Sequence, residues 1–281
     1  MIKICVYGKG GIGKSTVVAN AAAAAAKAGN RVMVVGCDPK ADTTRVLMHG
    51  RIETILDVHA RLGGRLTRAD AAHEGAFGVL CMESGGPRAG EGCAGKGIAL
   101  ALKDIQELRI IEEFAPDLIL YDVLGDVVCG GFSTPLREKV AEAAYIVTTS
   151  DYMSLYAANG ICRCIRKYAN RGGCRLGGLI YNERSAVGDE SAAADFARAV
   201  GTRIAGRVPL DRAISRAEMR RSTVIECEPD SAAARAFEAI ADEMLHGAET
   251  AVPEPLSTEA LEAIGERIAA QFAQSEEGFA Q

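Results

Sequence analysis

The chain has 281 residues, 48% hydrophobic, 25% charged and 5% aromatic, with 31 Gly and 8 Pro. This composition excludes disordered, collagen-like and disulfide-scaffold classes and leaves room for one large α/β domain or two small ones. A net charge of −5, from 32 Lys+Arg against 37 Asp+Glu without a basic block, gives no nucleic-acid footprint.

In chain order, residues 2–7 read as a buried strand, 15–28 as an Ala-rich helix and 31–36 as a second strand, with Gly29-Asn30 as the helix stop. Strands follow at 77–81 and 117–121, with helical sequence at 97–108 between them. Two more apolar runs, 144–149 and 176–181, flank a helix at 153–170. A helix at 190–200, a strand at 203–208 and a helix at 231–245 complete the series. Strands alternating with helices at this spacing predict an α/β fold with a doubly wound, mostly parallel sheet. The chain divides into a body over 1–246 and a C-terminal turn and helix over 247–281, a partly flexible tail. In that tail Leu261, Ile264, Ile268 and Phe272 form an apolar stripe, while Glu259, Glu262 and Glu266 line another face. An acidic helix of this kind suits docking on the body or a partner, not a membrane surface. The longest apolar run, 17–26, is too short to span a bilayer. No signal-peptide pattern opens the chain, so a cytoplasmic protein is expected.

Residues 8–16, Gly8-Lys9-Gly10-Gly11-Ile12-Gly13-Lys14-Ser15-Thr16, fit G-x-x-x-x-G-K-[ST] between a strand and a helix. The glycines let backbone N–H groups face phosphates, and the helix N-terminus favours negative charge. Lys14 would neutralise β/γ-phosphate oxygens and Ser15 would ligate Mg²⁺. Lys9 resembles the signature lysine of the deviant Walker A ATPases, which reaches across a dimer to the other subunit's nucleotide. Asp122 ends an apolar strand, as a Mg²⁺-linked carboxylate should, and opens the D-x-x-G segment 122–125. Asp126 follows, placed to orient or deprotonate an attacking water. Asp38 and Asp42 lie at the C-terminal edge of the second strand, where ligands gather in such sheets.

Nine cysteines occur, at 5, 37, 81, 93, 129, 162, 164, 174 and 227, without a C-x-x-C pair. One chain therefore lacks a local zinc or ferredoxin-type ligand run. Cys93 and Cys129 differ from the rest in their glycine neighbours, which leave room for a bulky cofactor and expose N–H donors to its sulfides. From the residues alone, these two are either cluster ligands or buried structural thiols. Cys37 reads as packing beside Asp38, and the others as core.

Together these segments resemble the nitrogenase iron protein family, the dinitrogenase reductases, and its nitrogenase-like relatives such as the ATPase subunits of dark-operative protochlorophyllide reductase. The resemblance runs to about Pro229 and is carried by residues 7–16, 36–42, 83–87 (ESGGP), 92–95 (GCAG), 121–132, 156–159 and 175–180. It implies a homodimer in which Cys93 and Cys129 of both subunits hold one [4Fe–4S] cluster. MgATP would sit at Lys9, Lys14, Ser15 and Thr16, with Asp38, Lys40, Asp42, Asp122 and Asp126 as switch and hydrolysis groups. Asn182 and Asp211 match adenine-side positions. The implied activity is ATP-gated electron transfer to a nitrogenase or nitrogenase-like catalytic component, with ferredoxin or flavodoxin upstream and neither nucleic acid nor membrane as partner. Departures fall at Lys96 and Leu210, where the family commonly carries arginine, at Cys227, where tyrosine is common, and across 53–76. They point to a divergent member serving a nitrogenase-like reductase. The rival reading is a ParA/MinD-like positioning ATPase without a cluster, which would leave Cys93 and Cys129 unexplained.

Overall fold

Short apolar runs bounded by glycine or acidic residues form the centre of the molecule, as expected of strands buried on both faces. The computed structural model describes the chain except residues 87–93, 126–135, 137–139, 185–189, 248 and 280–281. β1 (Ile2–Tyr7), β2 (Val32–Gly36), β3 (His73–Glu74), β4 (Leu80–Glu83), β5 (Leu118–Asp122), β6 (Ala143–Thr148), β7 (Arg175–Asn182) and β8 (Ile204–Val208) make one eight-stranded sheet. Its order is β3-β4-β2-β5-β1-β6-β7-β8. The two-residue edge strand β3 runs antiparallel to β4, and the other neighbouring pairs are parallel. The doubly wound α/β arrangement expected from the strand–helix alternation is present.

Successive strand residues feed opposite faces. Cys5, Tyr7, Met33 and Val35 enter one core, and Ile4, Val6, Val32 and Val34 the other. The first core lies under α2 (Ile55–Leu62), α3 (Arg68–Ala71), α4 (Ala94–Glu107), α5 (Ile110–Phe114), α6 (Tyr152–Ala169) and α7 (Ser191–Ala199). The second lies under α1 (Lys14–Lys27), α8 (Arg212–Met219), α9 (Val224–Cys227) and α10 (Ala232–His246). α1 buries Ala21 to Ala25, and such small side chains keep helix propensity high while letting α1 sit close to sheet and α10. Its buried Asn20 donates to the Thr16 carbonyl at 2.8 Å and accepts from the Val224 N–H at 2.7 Å, so neither end of the amide is wasted.

Two departures from the sequence reading have local causes. The strand expected at 77–81 begins at Leu80, because a 3₁₀ turn over Ala76–Gly78 carries Phe77 at φ 55° and Gly78 at φ 77°. Residues 53–76, left unassigned, contain α2, whose N-terminus is capped by the Thr54 hydroxyl accepting from the Asp57 N–H at 3.1 Å. The final helix, α11 (Thr258–Phe279), buries Leu261 and Ile264 against the first core. The approach to it is pinned by buried Asn159, which donates to the Leu256 carbonyl at 3.0 Å and accepts from the Leu256 N–H at 2.8 Å. Among the described residues, no helix is long and apolar enough to cross a membrane.

Candidate nucleotide site

The parallel strands β1, β2, β5, β7 and β8 end on the same edge of the sheet, and the loops leaving them line one cavity of about 490 Å³. The 8–16 loop forms its floor. Gly11 at φ 74° and Gly13 at φ 93° hold left-handed backbone that a larger residue would strain, and Gly13 serves as the N-cap of α1 without a side-chain cap. The first-turn N–H groups of α1 thus have no capping side chain, and no acidic residue lies in that turn. That is an anion-binding helix end.

Lys14 and Asp122 form the charged centre, with Lys14 Nζ 2.6 Å from Asp122 Oδ1 and both side chains buried. The Ser15 hydroxyl donates to Asp122 Oδ2 at 2.6 Å, and the Thr43 hydroxyl donates to the same oxygen at 2.8 Å. Burial pulls the Lys14 ammonium down, but the charge of Asp122 and its hydrogen bond outweigh that, so the pKa rises and Lys14 stays protonated. Asp122 therefore draws together Lys14, Ser15 and the loop after β2.

That loop brings Asp38, Lys40 and Asp42 to the cavity wall. Asp38 is buried and accepts from the Lys40 N–H at 3.0 Å, a side-chain turn that fixes the loop's start, while Asp42 is exposed. The Cys37 N–H donates to the Asp122 carbonyl at 2.9 Å, so the ends of β2 and β5 are also joined through backbone. Lys9 stands at the cavity mouth, 3.7 Å from Asp151. The far wall carries Asn182, whose amide donates to the Ile12 carbonyl at 2.7 Å, and apolar Leu210, Ile214 and Phe237. Asp211 also lines this wall, but its carboxylate accepts from the Ala213 N–H at 2.8 Å and the Ala233 N–H at 3.1 Å. Those backbone bonds hold it below the usual carboxylate range, and they make it the joint between α8 and α10.

Asp126, Cys93 and Cys129 lie outside the described residues. Among the described residues, no group of three or more His, Cys, Asp or Glu side chains is arranged to hold a metal ion. Cys5, Cys37, Cys81, Cys162 and Cys174 are buried. Burial pushes the Cys37 and Cys162 thiols up to about 12, which keeps them protonated.

Two residues were given no role at the site by the sequence reading. Thr43 is one. Glu83, at the end of β4, is fully buried beside the same loop, and burial pushes its carboxyl up to about 7. At Gly125, which closes the D-x-x-G segment, a Cβ would lie 1.9 Å from the Gly8 carbonyl oxygen, so the loop after β5 rests directly on the phosphate loop.

The sequence pattern of the 4Fe-4S iron sulfur cluster binding proteins, NifH/frxC family, matches residues 2–271. The chain belongs to this family. It is 48% identical to the nitrogenase iron protein of Methanococcus voltae over 269 residues, covering 95% of this chain and 97% of that protein. It is 43% identical to nitrogenase iron protein 2 of Methanothermococcus thermolithotrophicus, covering 95% and 96%. Solved structures extend the likeness at the level of fold. The MinD cell division protein of Aquifex aeolicus superposes with a TM-score of 0.65 at 21% identity, covering 92% of this chain and 100% of that one. A ParA family ATPase from Chlorobium tepidum gives 0.66 at 18%, covering 88% and 99%. The resemblance noted in the sequence is thus family membership, and the P-loop ATPase fold goes with it.

Proposed function

We propose that the chain is the ATP-dependent, electron-donating component of a nitrogenase or nitrogenase-like reductase, acting as a homodimer. The observation that carries the reading is the convergence of Lys14, Ser15 and Thr43 on Asp122, in a chain of this family, seven residues before Cys129. The cavity fits MgATP on its own terms: an uncapped helix N-terminus, a protonated buried lysine, and hydroxyl and carboxylate oxygens for a hard cation.

In this reading the backbone of Gly8, Gly10, Gly11, Ile12 and Gly13 cradles phosphate, and Lys14 leaves Asp122 to share its charge with the β/γ oxygens. Ser15 would ligate Mg²⁺, Thr16 would bind the nucleotide beside it, and Asp122 would supply a carboxylate for the metal. Lys9 serves the nucleotide of the second copy, Asp38, Lys40 and Asp42 respond to the γ-phosphate, and Asp126 orients the attacking water. Asn182 and the apolar wall take the base, with Asp211 setting that wall. Cys93 and Cys129 of two copies would supply the four thiolates. When bound, a [4Fe–4S] cluster supplies one low-potential electron, and MgATP supplies the free energy that gates its delivery.

The likeness to MinD and ParA proteins, at about a fifth identity, speaks for the fold alone. A positioning ATPase has no use for Cys93 and Cys129. Anaerobic purification with iron analysis and EPR of the dithionite-reduced protein tests the reading. Cluster-bearing wild type is expected, with the signal lost in Cys93→Ser and Cys129→Ser and kept in Cys164→Ser. A colourless, iron-free ATPase would overturn it.

A further inference from the structure

Glu83 has no part in the scheme above, yet it is among the most deeply buried acids in the molecule, 1% exposed at the C-terminal end of β4. Its Oε1 accepts from both the Thr44 N–H, at 2.7 Å, and the Thr44 hydroxyl, at 2.8 Å. Among the described residues, its Oε2 has no hydrogen-bond partner. Burying a carboxyl with one oxygen unpaired is costly, so an apolar residue would serve β4 better if packing were the whole task.

Three more contacts bind the same two segments. The Ser84 N–H donates to the Gly36 carbonyl at 2.8 Å. A Cβ on Gly86 would lie 2.5 Å from Pro39 Cβ, and one on Gly36 would lie 1.9 Å from Glu83 Oε2, so both glycines are places of close approach. Gly97, in the first turns of α4, packs on Gly85, whose carbonyl oxygen is 3.4 Å from where its Cβ would be. Thr43, next to Thr44, donates to Asp122. A continuous series of contacts therefore runs from Asp122 through Thr43 and Thr44 to Glu83, and on to Gly85 and Gly97, which flank Cys93 in the sequence.

We propose that Glu83 is a positioning residue that fastens loop 38–44 to the end of β4, so that movement of this loop on nucleotide binding is carried into the segment bearing Cys93. The inference rests on the nucleotide reading given above. It gives the Cys93 segment a link to the cavity of its own, beside the closeness in sequence of Asp122 and Cys129. Two-state coupling through packed contacts of this kind is the physical requirement.

Hydrogen–deuterium exchange on the full chain, purified anaerobically, with and without MgATP, tests it. In wild type MgATP should protect peptides 8–16, 38–46 and 84–97. In Glu83→Ala the first two stay protected, while protection of 84–97 falls from about tenfold to below about twofold. Glu83→Gln, which keeps an oxygen for the Thr44 N–H, should restore it. Wild-type protection of 84–97 in Glu83→Ala, or equal loss in both variants, overturns the proposal. Should Glu83→Ala not fold, Thr44→Val is read the same way: weakened protection of 84–97 with 8–16 intact supports it, and unchanged protection refutes it. If wild-type peptide 8–16 is protected and 84–97 is not, this inference alone fails. If 8–16 is not protected, the nucleotide reading fails and takes this one with it.

Discussion

Replacing Asp122 by asparagine removes the charge on which the candidate site converges. The carboxylate accepts from Lys14 at 2.6 Å, Ser15 at 2.6 Å and Thr43 at 2.8 Å, and is itself 0% exposed. In Asp122→Asn the Lys14 ammonium, 7% exposed, loses its hydrogen-bonded counter-charge and keeps only the weaker influence of Asp38 and Asp42. Breaking a buried pair from one side costs about 3–5 kcal/mol, and the adjoining cavity admits water to Lys14, so the cost here is set near about 3 kcal/mol. For a chain of this size that corresponds to a fall in Tm of about 6–12 °C. ATP without Mg²⁺ brings phosphate charge to Lys14, so it should narrow the deficit, contributing about 2.7 kcal/mol at a hundredfold excess over Kd. The further stabilisation that Mg²⁺ gives wild type should be lost. Differential scanning calorimetry under anaerobic conditions reads all three. A Tm within about 2 °C of wild type, or a deficit that ATP leaves untouched, would refute the pairing and its role.

Other outcomes follow from the same geometry. Glu83 has a folded-state pKa of about 7 against an ordinary 4.5, so its contribution is full below the ordinary value and lost as pH rises through about 7. Urea unfolding of wild type should lose about 3 kcal/mol to this group over that window, and Glu83→Gln should flatten the slope. Gly125→Ala places a methyl 1.9 Å from the Gly8 carbonyl and must displace the phosphate loop. Its ATP affinity, by fluorescent-analogue titration, should fall at least about tenfold, a loss of about 1.4 kcal/mol. Asn159→Ala leaves the Leu256 N–H and carbonyl without the amide that pins them. It should cost about 2 kcal/mol in urea unfolding and speed proteolysis within 247–281.

The phosphate loop and the sheet were legible in the sequence because each rests on a local pattern. Apolar runs gave the strands, and glycines at 8, 10, 11 and 13 before Lys14-Ser15 gave the loop. Phe77 misled because an apolar residue at a strand's start looks the same whether it enters the sheet or, at φ 55°, turns away from it. Asp122 was found as an acid ending an apolar strand. Glu83 ends Val79-Leu80-Cys81-Met82 in the same way, and that signal would have singled it out. Its partner could not be read, since Thr44 lies 39 residues away and meets it through strand order alone. The family resemblance marked Asp211 as adenine-side; it lines the cavity, and what the sequence did not show is that its carboxylate also joins α8 to α10.

In the proposed function, nucleotide at Lys14 and Asp122 governs an iron–sulfur cluster held by Cys93 and Cys129. An EPR-monitored redox titration of the anaerobically purified protein, with and without MgATP, tests this coupling. The expected result is a [4Fe–4S] signal whose midpoint potential shifts when MgATP is added, and a Lys14→Gln variant that keeps the signal and loses the shift. An iron-free protein, or a cluster whose potential is the same with and without MgATP, would contradict it.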